Sequence, residues 1–400
     1  MITLSEVADI QTGPFGSQLH KEDYVAEGTP IVTVEHLGGR FFTRQNLPFV
    51  DDDDAERLKK YRMKQGDIIY SRVGSVDRCS YAEEENEGWL FSGRCLRVRP
   101  KCEINSEFLY YYLSSKEVKR FVEGIAVGAT MPSINTALMG EIPIPDLPAH
   151  QQAFIAAVMT PIDRKIAINA KINGYLEELL LAKYDDLFPE SGPYDGTLAD
   201  IGEVVGGATP SKKRPEYYCQ DGIGWVTPRD LSNANDKFLS RGADDITEEG
   251  YNSCSAKLMP KGSVLFSSRA PIGYVAIAAN EVATNQGFKS VVPNKSIGTA
   301  FTYCFLVRNK QRIADMGAGT TFPEVSSKIM KSVKLTIPRP GECKAFSAFA
   351  NPLLYQQYLL ETEGNKLAAL RDTLLPKLMS GEIDVSKVDL KQLNSHLSDC

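Results

Sequence analysis

A chain of 400 residues is longer than one ordinary domain and suits two with a connector. Its 42% hydrophobic, 24% charged and 9% aromatic residues are those of a folded protein, which excludes a disordered or low-complexity chain. The net charge of −6 excludes a strongly basic protein that wraps nucleic acid by itself, but not a local basic face. No apolar run approaches the roughly 18 residues of a membrane span. The opening MITLSEVADI has neither the basic nor the apolar region of a signal peptide, so a cytoplasmic protein is expected. The eight cysteines are scattered without a C-x-x-C pair, which removes support for zinc knuckles or redox pairs and predicts reduced, structural thiols.

The chain repeats itself once. TLSEVADIQTG (Thr3–Gly13) returns as TLADIGEVVGG (Thr197–Gly207) at an offset of 194, which also maps Tyr24 on Tyr218 and Gly28 on Gly222. Near the end of each half the offset settles at 191, mapping Gly128 on Gly319, Pro161 on Pro352 and Leu187 on Leu378. Between these ends the halves drift: QGDIIYSR (Gln65–Arg72) faces KGSVLFSSR (Lys261–Arg269) with one insertion. Each copy opens with a Gly- and Pro-rich stretch of short β-type runs such as DIIYS and SVLFS. A long helix follows.

In the first copy Thr160, Pro161 and Asp163 read as N-cap, N1 and N3 of that helix, and Asn351-Pro352 take the same place in the second. From there each helix should run to Phe188 or Met379, about 42 Å at 1.5 Å per residue. The first seam is Ile155, Val158, Ile162, Ile166, Asn169, Ile172, Leu176 and Leu179; the second is Phe346, Phe349, Leu353, Leu360, Leu367, Leu370, Leu374 and Leu378. Heptad stepping in two matched helices predicts an antiparallel coiled coil, with Asn169 setting its register. The fold class expected is α+β (mixed α/β), with an internal pseudo-two-fold repeat. Its parts are a first domain at 1–147, a helical spacer at 148–190, a second domain at 195–340, a second spacer at 341–385 and a tail at 386–400.

Catalytic signatures are sparse. His20, His36, His150 and His396 form no ligand spacing, and the dipeptide Gly-Lys of a P-loop never occurs. Pro145-Asp146 followed by Asp163-Arg164-Lys165 has the spacing of a nuclease PD…DxK site, but its second part falls in the long helix, where Asp163 reads as a cap. DMGAGTT (Asp315–Thr321) echoes an S-adenosylmethionine loop, yet its repeat mate EGIAVGAT (Glu123–Thr130) makes it a shared turn. The chain is expected to lack catalytic activity, cofactor and metal.

Two variable domains, each followed by a helix, resemble the specificity subunit of type I restriction–modification systems. IQTGPFGSQLHKEDY (Ile10–Tyr24) is similar to one start of that family's target recognition domain, and GGATPSKKRPEYY with IGWVTPRDLSN (Gly206–Tyr218, Ile223–Asn233) to another. TNQGFKSVVP (Thr284–Pro293), TTFPEVS (Thr320–Ser326) and LRDTLLPKLMSGEI (Leu370–Ile383) also resemble it, so the likeness spans nearly the whole chain. It implies a non-catalytic partner of double-stranded DNA, two modification (methyltransferase) subunits and restriction (helicase/nuclease) subunits, with no membrane role. Each domain would read a few base pairs in the major groove, with the helices as a ruler between them.

Candidate DNA contacts are the polar and basic residues beside these motifs. In the first domain they are Ser17, Gln18, His20, Lys21, Arg72, Ser75, Arg78 and Arg94. In the second they are Ser211, Lys212, Lys213, Arg214, Arg229, Ser268, Arg269, Asn285 and Gln286. Arg reads guanine bidentately and Asn or Gln reads adenine, whereas the lysines suit phosphates. Arg72 and Arg269 recur beside a serine in both halves, which points to backbone positioning.

Overall fold

The computed structural model describes residues 2–384 except 17, 129, 190–192, 234–235, 270 and 320–322, and leaves out the side chains of Lys21 and Asn233. Ser17 and the expected tail at 386–400 therefore lie outside the described residues. The chain divides into two compact units, one of residues 1–168 with 365–400 and one of 169–364.

The first unit carries β1 (Ile2–Thr3), β2 (Ala8–Thr12), β3 (Thr29–Val32), β4 (Phe49–Val50), β5 (Ile68–Ser71), β6 (Cys79–Tyr81), β7 (Leu90–Phe91), β8 (Cys95–Pro100) and β9 (Pro143–Ile144). Its sheets have the orders β2-β8-β5-β6, β4-β3-β7 and β1-β9. The second unit carries β10 (Gly196–Thr197), β11 (Gly202–Gly206), β12 (Tyr218–Cys219), β13 (Ile223–Val226), β14 (Phe238–Leu239) and β15 (Asp245–Ile246). It continues with β16 (Val264–Ser268), β17 (Ile272–Ala278), β18 (Ala283–Thr284), β19 (Lys289–Pro293) and β20 (Lys334–Leu335). Here the orders are β11-β19-β16-β17-β14, β12-β15-β13-β18 and β10-β20. The repeat is visible in the register. Ile2 faces Ile144 as Gly196 faces Leu335, and Ile31 runs parallel beside Leu90 as Trp225 does beside Ala283.

The apolar runs DIIYS and SVLFS are continuous because their strands are covered on both faces. Ile68 and Tyr70 enter one core while Ile69 enters another; Val264 and Phe266 are separated from Leu265 in the same way. Side chains alternate across a strand, so a strand between two cores has no polar face.

Helices α1 (Ser106–Leu113) and α2 (Lys116–Ile125) belong to the first unit, and α4 (Gly298–Asp315) to the second. The long helices α3 (Ala149–Leu187) and α5 (Pro340–Met379) begin well before the expected caps, with Pro161 inside α3. They measure 39 and 40 residues, so the helical reading is right and the starts at Thr160 and Asn351 are wrong. Packing decides this. Phe154, Ile155 and Met159 are buried in the first unit's core, as Cys343, Phe346 and Ala350 are in the second's. Burying several side chains at about 1.5–3 kcal/mol each outweighs the roughly 3 kcal/mol penalty of an interior proline.

The seam also runs elsewhere. Ile155, Asn169, Phe346, Leu360 and Leu378 are buried as expected, whereas Ile172, Leu179 and Leu370 are exposed, and polar residues share the buried positions. In the first unit Arg371 donates to Asp163 at 2.8 Å. In the second, Asn169 donates to Glu363 at 2.7 Å and Gln357 to the Asn173 carbonyl at 3.1 Å. In the second unit rising numbers on α3 meet falling numbers on α5, so the pairing is antiparallel, and Asn169 does sit in the seam. Asp163, expected to be a cap, is instead a buried acceptor for Arg371 and for the Tyr111 hydroxyl at 3.0 Å.

Buried charge ties each domain to its helices. In the first unit the Arg40 guanidinium, 1% exposed, pairs with Glu83 at 2.8 Å and Glu107 at 2.6 Å. In the second, the Lys237 ammonium pairs with Glu177 and Gln357, and Glu361 accepts the N–H groups of Lys237 and Phe238 at 3.0 and 3.1 Å. Burial pushes the Glu361 carboxyl from 4.5 up to about 7, against the pull of those two N–H bonds. A carboxyl whose pKa rises on folding binds its proton more tightly when folded. Its contribution is therefore complete below pH 4.5 and is lost as pH rises through 7. Glu361→Gln removes the titrating group while keeping an acceptor for one of the two N–H groups, and should flatten this decline, roughly 3 kcal/mol at about 1.4 kcal/mol per pH unit. Urea titrations of both proteins across this range test it; an unchanged pH dependence would refute the assignment.

Candidate nucleic-acid interface

The loops bearing the sequence candidates gather at one edge of the main sheet in each unit. In the first, β2 runs into Gly13-Pro14-Phe15-Gly16, which lies against the turn before β8. A Cβ on Gly13 would stand 2.1 Å from the Ser92 carbonyl oxygen, and one on Gly93 2.1 Å from that of Pro14. In the second unit a Cβ on Gly207 would stand 2.1 Å from the Asn285 oxygen. Gly13 and Gly207 are repeat mates. Their lack of a side chain permits two loops to touch through backbone.

Arg72 joins three loops of the first edge. Its N–H donates to the Arg94 carbonyl at 2.8 Å, its carbonyl accepts from Ile134 at 2.9 Å, and its guanidinium donates to the Gly93 carbonyl at 3.2 Å. The guanidinium also lies 5.2 Å from the Phe15 ring. In the second unit these two backbone bonds are made by Ser268, from its N–H to Gly287 at 2.7 Å and from Val325 at 3.0 Å. The structural partner of Arg72 is thus Ser268 and not Arg269: Gly66 and Gly262 make matching bonds to the Ala82 and Ala278 carbonyls, and Arg72 and Ser268 each lie 6 positions further on. Ser268 is fully buried, beneath the surface that the loops present.

Other candidates separate into held and free. Gln18 accepts from the Tyr61 hydroxyl at 2.7 Å and its carbonyl from Arg57 at 2.6 Å, so it fastens its loop. Asn285 accepts from the Gly287 N–H at 2.8 Å, and the Thr209 hydroxyl donates to Gln286. Arg214 pairs with Glu216 at 3.8 Å and lies 5.6 Å from the Tyr217 ring. Ser75 is half-buried; His20 and Ser211 are exposed. Arg78, Arg94, Lys212, Lys213 and Arg229 are exposed, with no ion-pair or side-chain hydrogen-bond partner among the described residues. Lys21 offers only its backbone to description.

Two residues absent from the sequence list belong to the second edge. Glu324 accepts from Arg269 at 3.3 Å and from Lys289 at 3.5 Å, and Lys289 also reaches the Ser268 hydroxyl at 3.5 Å. Lys289 sits in KSVVP, which reads as a buried strand. The turn carrying Glu324 repeats as well: Ala318 bridges Glu324 as Val127 bridges Ser133. Among the described residues no cluster of three or more His, Cys, Asp or Glu could hold a metal, and no helix is long and apolar enough to cross a membrane.

Comparison with known proteins agrees with this architecture. Residues 1–178 and 194–363 match the model of a family described as the type I restriction modification DNA specificity domain. The type I restriction enzyme MjaIX specificity subunit of Methanocaldococcus jannaschii is 39% identical over 190 residues, 47% of this chain and 43% of that one. That match therefore spans less than half of the relative's length. The HindI specificity subunit of Haemophilus influenzae is 22% identical, over 82% of this chain and 89% of its own. Among solved structures, the type I S subunit from M. genitalium superposes with a TM-score of 0.62 over 94% of both chains at 18% identity, a likeness of fold.

Proposed function

We propose, starting from the chain's membership of the type I restriction modification DNA specificity family, a family of non-catalytic DNA-recognition subunits, that it reads an asymmetric, two-part target in duplex DNA. One observation carries the reading. The two sheet edges share their backbone bonds but not their side chains. A shared scaffold with different side chains suits two readers of different half-sites. The first edge offers Phe15, Arg72 and Arg94; the second offers Arg269, Asn285, Gln286 and Glu324. Arg78, Lys212, Lys213 and Arg229 would take phosphates, which supply affinity without sequence. The domain limits 1–147 and 195–340 bound the two readers, with the helical spacers between and after them.

The same reading places the chain in the cytoplasm beside two modification subunits and restriction subunits. Ile168, Ile172, Tyr175 and Leu179 are exposed on α3 at steps of 4, 3 and 4 residues, as are Tyr355 and Leu359 on α5. Heptad-spaced apolar residues facing water support a helical partner there.

Exchanging residues 1–147 for the matching region of a relative tests the reading. Duplexes with randomised positions would be selected by the complex with its modification subunits and sequenced. One half of the enriched motif should change and the other persist. A change in both halves would overturn the two-reader scheme.

A further inference from the structure

We propose that Arg269 and Glu324 act together as the reader of one C·G base pair in the half-site of the second unit, with Lys289 positioning the carboxylate. This rests on the two-reader function above. The Glu324 oxygens are divided: Oε2 accepts from Arg269 at 3.3 Å and Oε1 from Lys289 at 3.5 Å. Each carboxylate oxygen keeps lone-pair capacity for another donor. Arg269 spends only Nη1 on Glu324, so its remaining donors are open to a ligand. The Arg269 and Glu324 side chains are 39% and 37% exposed, so both reach the surface; Lys289, at 11%, stands behind them.

The backbone holds the pair in place. Glu324 exchanges two bonds with Ala318, at 2.9 and 3.1 Å, and its neighbour Val325 donates to the Ser268 carbonyl at the end of β16. Lys289 keeps the Ser268 hydroxyl at 3.5 Å and the Gln286 carbonyl at 3.3 Å as further acceptors. The result is a fixed acceptor beside a fixed fork of donors on an edge otherwise rich in amides and cations.

That pattern selects among base pairs. In the major groove a C·G pair presents the cytosine N4 donor next to two adjacent acceptors, guanine O6 and N7. Glu324 accepts from N4 while Arg269 spans O6 and N7. An A·T pair places its single N6 donor between two acceptors, N7 and O4, so the carboxylate meets a repelling oxygen or nitrogen on either side. A carboxylate also opposes phosphate, so the pair resists non-specific seating on the DNA backbone. At the matching places in the first unit the repeat carries Ser133 for Glu324 and Val73 for Arg269. The first half-site lacks this reader.

The test is selection from a duplex library with randomised positions by the full chain in complex with its modification subunits. Wild type should enrich a C·G pair at one position of the half assigned to the second unit by domain exchange. Glu324→Gln and Arg269→Gln should each lose roughly tenfold to hundredfold preference at that one position, the discrimination of one good base-edge contact. The other half should be unchanged. Lys289→Gln should relax the same position and Lys289→Arg restore it, which a purely structural lysine would not reproduce. Melting curves identify any variant that fails to fold, in which case the Arg269→Gln selection decides. Unchanged preference in both Gln variants, or relaxation spread through both halves, overturns the inference. A wild-type complex that enriches no sequence overturns the underlying two-reader function, and this inference with it.

Discussion

Replacing Arg40 with alanine should destabilise the first unit by about 3–5 kcal/mol, the usual cost of removing one member of a buried ion pair. Arg40 lies in the loop GGRFF, where a cation would be expected to be solvated. Instead its guanidinium stacks 4.4 Å from the Tyr81 ring and holds Glu83 and Glu107, which are only 15% and 28% exposed. Glu83 also pairs with Arg164 on α3 at 3.5 Å. Tyr111, 3.4 Å from Arg40, continues the chain of bonds to Asp163 and thence to Arg371 on α5. Burial and the Asp163 charge raise the Tyr111 phenol above its ordinary value, so it stays protonated and donates. Removing Arg40 leaves two carboxylates facing each other with only the half-exposed Arg164, 3.5 Å from Glu83, in compensation. The triple variant Arg40→Met, Glu83→Gln, Glu107→Gln removes the stranded charge and should recover most of the loss. Urea titration read by a first-unit probe checks both. Equal stability of the triple variant and Arg40→Ala would mean that lost packing, not stranded charge, sets the cost.

Replacing Arg78, Lys212, Lys213 and Arg229 together with alanine should weaken DNA binding by the assembled complex about a thousandfold near 0.15 M salt. Each cation that meets a phosphate releases a counterion and adds about 0.9 to the slope of log affinity against log salt. Four lost contacts should therefore lower that slope by close to 4. These side chains have no ion-pair partner among the described residues, so the folded state should lose little. The selected motif should persist, because phosphate contacts carry no sequence. Titrations at several salt concentrations measure the slope directly. An unchanged slope would place the DNA on another face of the molecule.

The duplication, the mixed α/β class and the antiparallel helices were legible in the sequence. Repeats, continuous apolar strand runs and heptad spacing are local patterns set by the period of the backbone and by the need to bury one face. The glycines of TGPFGS and GGATPS were visible too, though their purpose, letting two loops touch at backbone distance, appears only when both loops are present. Tertiary packing decided the rest. Pro161 looked like a helix start because a proline is locally unfavourable inside one, but Phe154, Ile155 and Met159 needed the core that lies upstream of it. Asn169 stays in the seam as expected, but Asn173 joins it while Ile172 and Leu179 face outward, because Glu363, Leu360 and Gln357, distant in sequence, supply the bonds that make amides tolerable there. Ser268 and not Arg269 is the mate of Arg72, because the backbone bonds each makes, not the Ser-Arg pair that both halves spell, decide which positions are equivalent. Arg40, Lys237, Lys289 and Glu324 escaped notice for the same reason: a charged residue reads as solvent-facing until its partners, brought from far along the chain, enclose it.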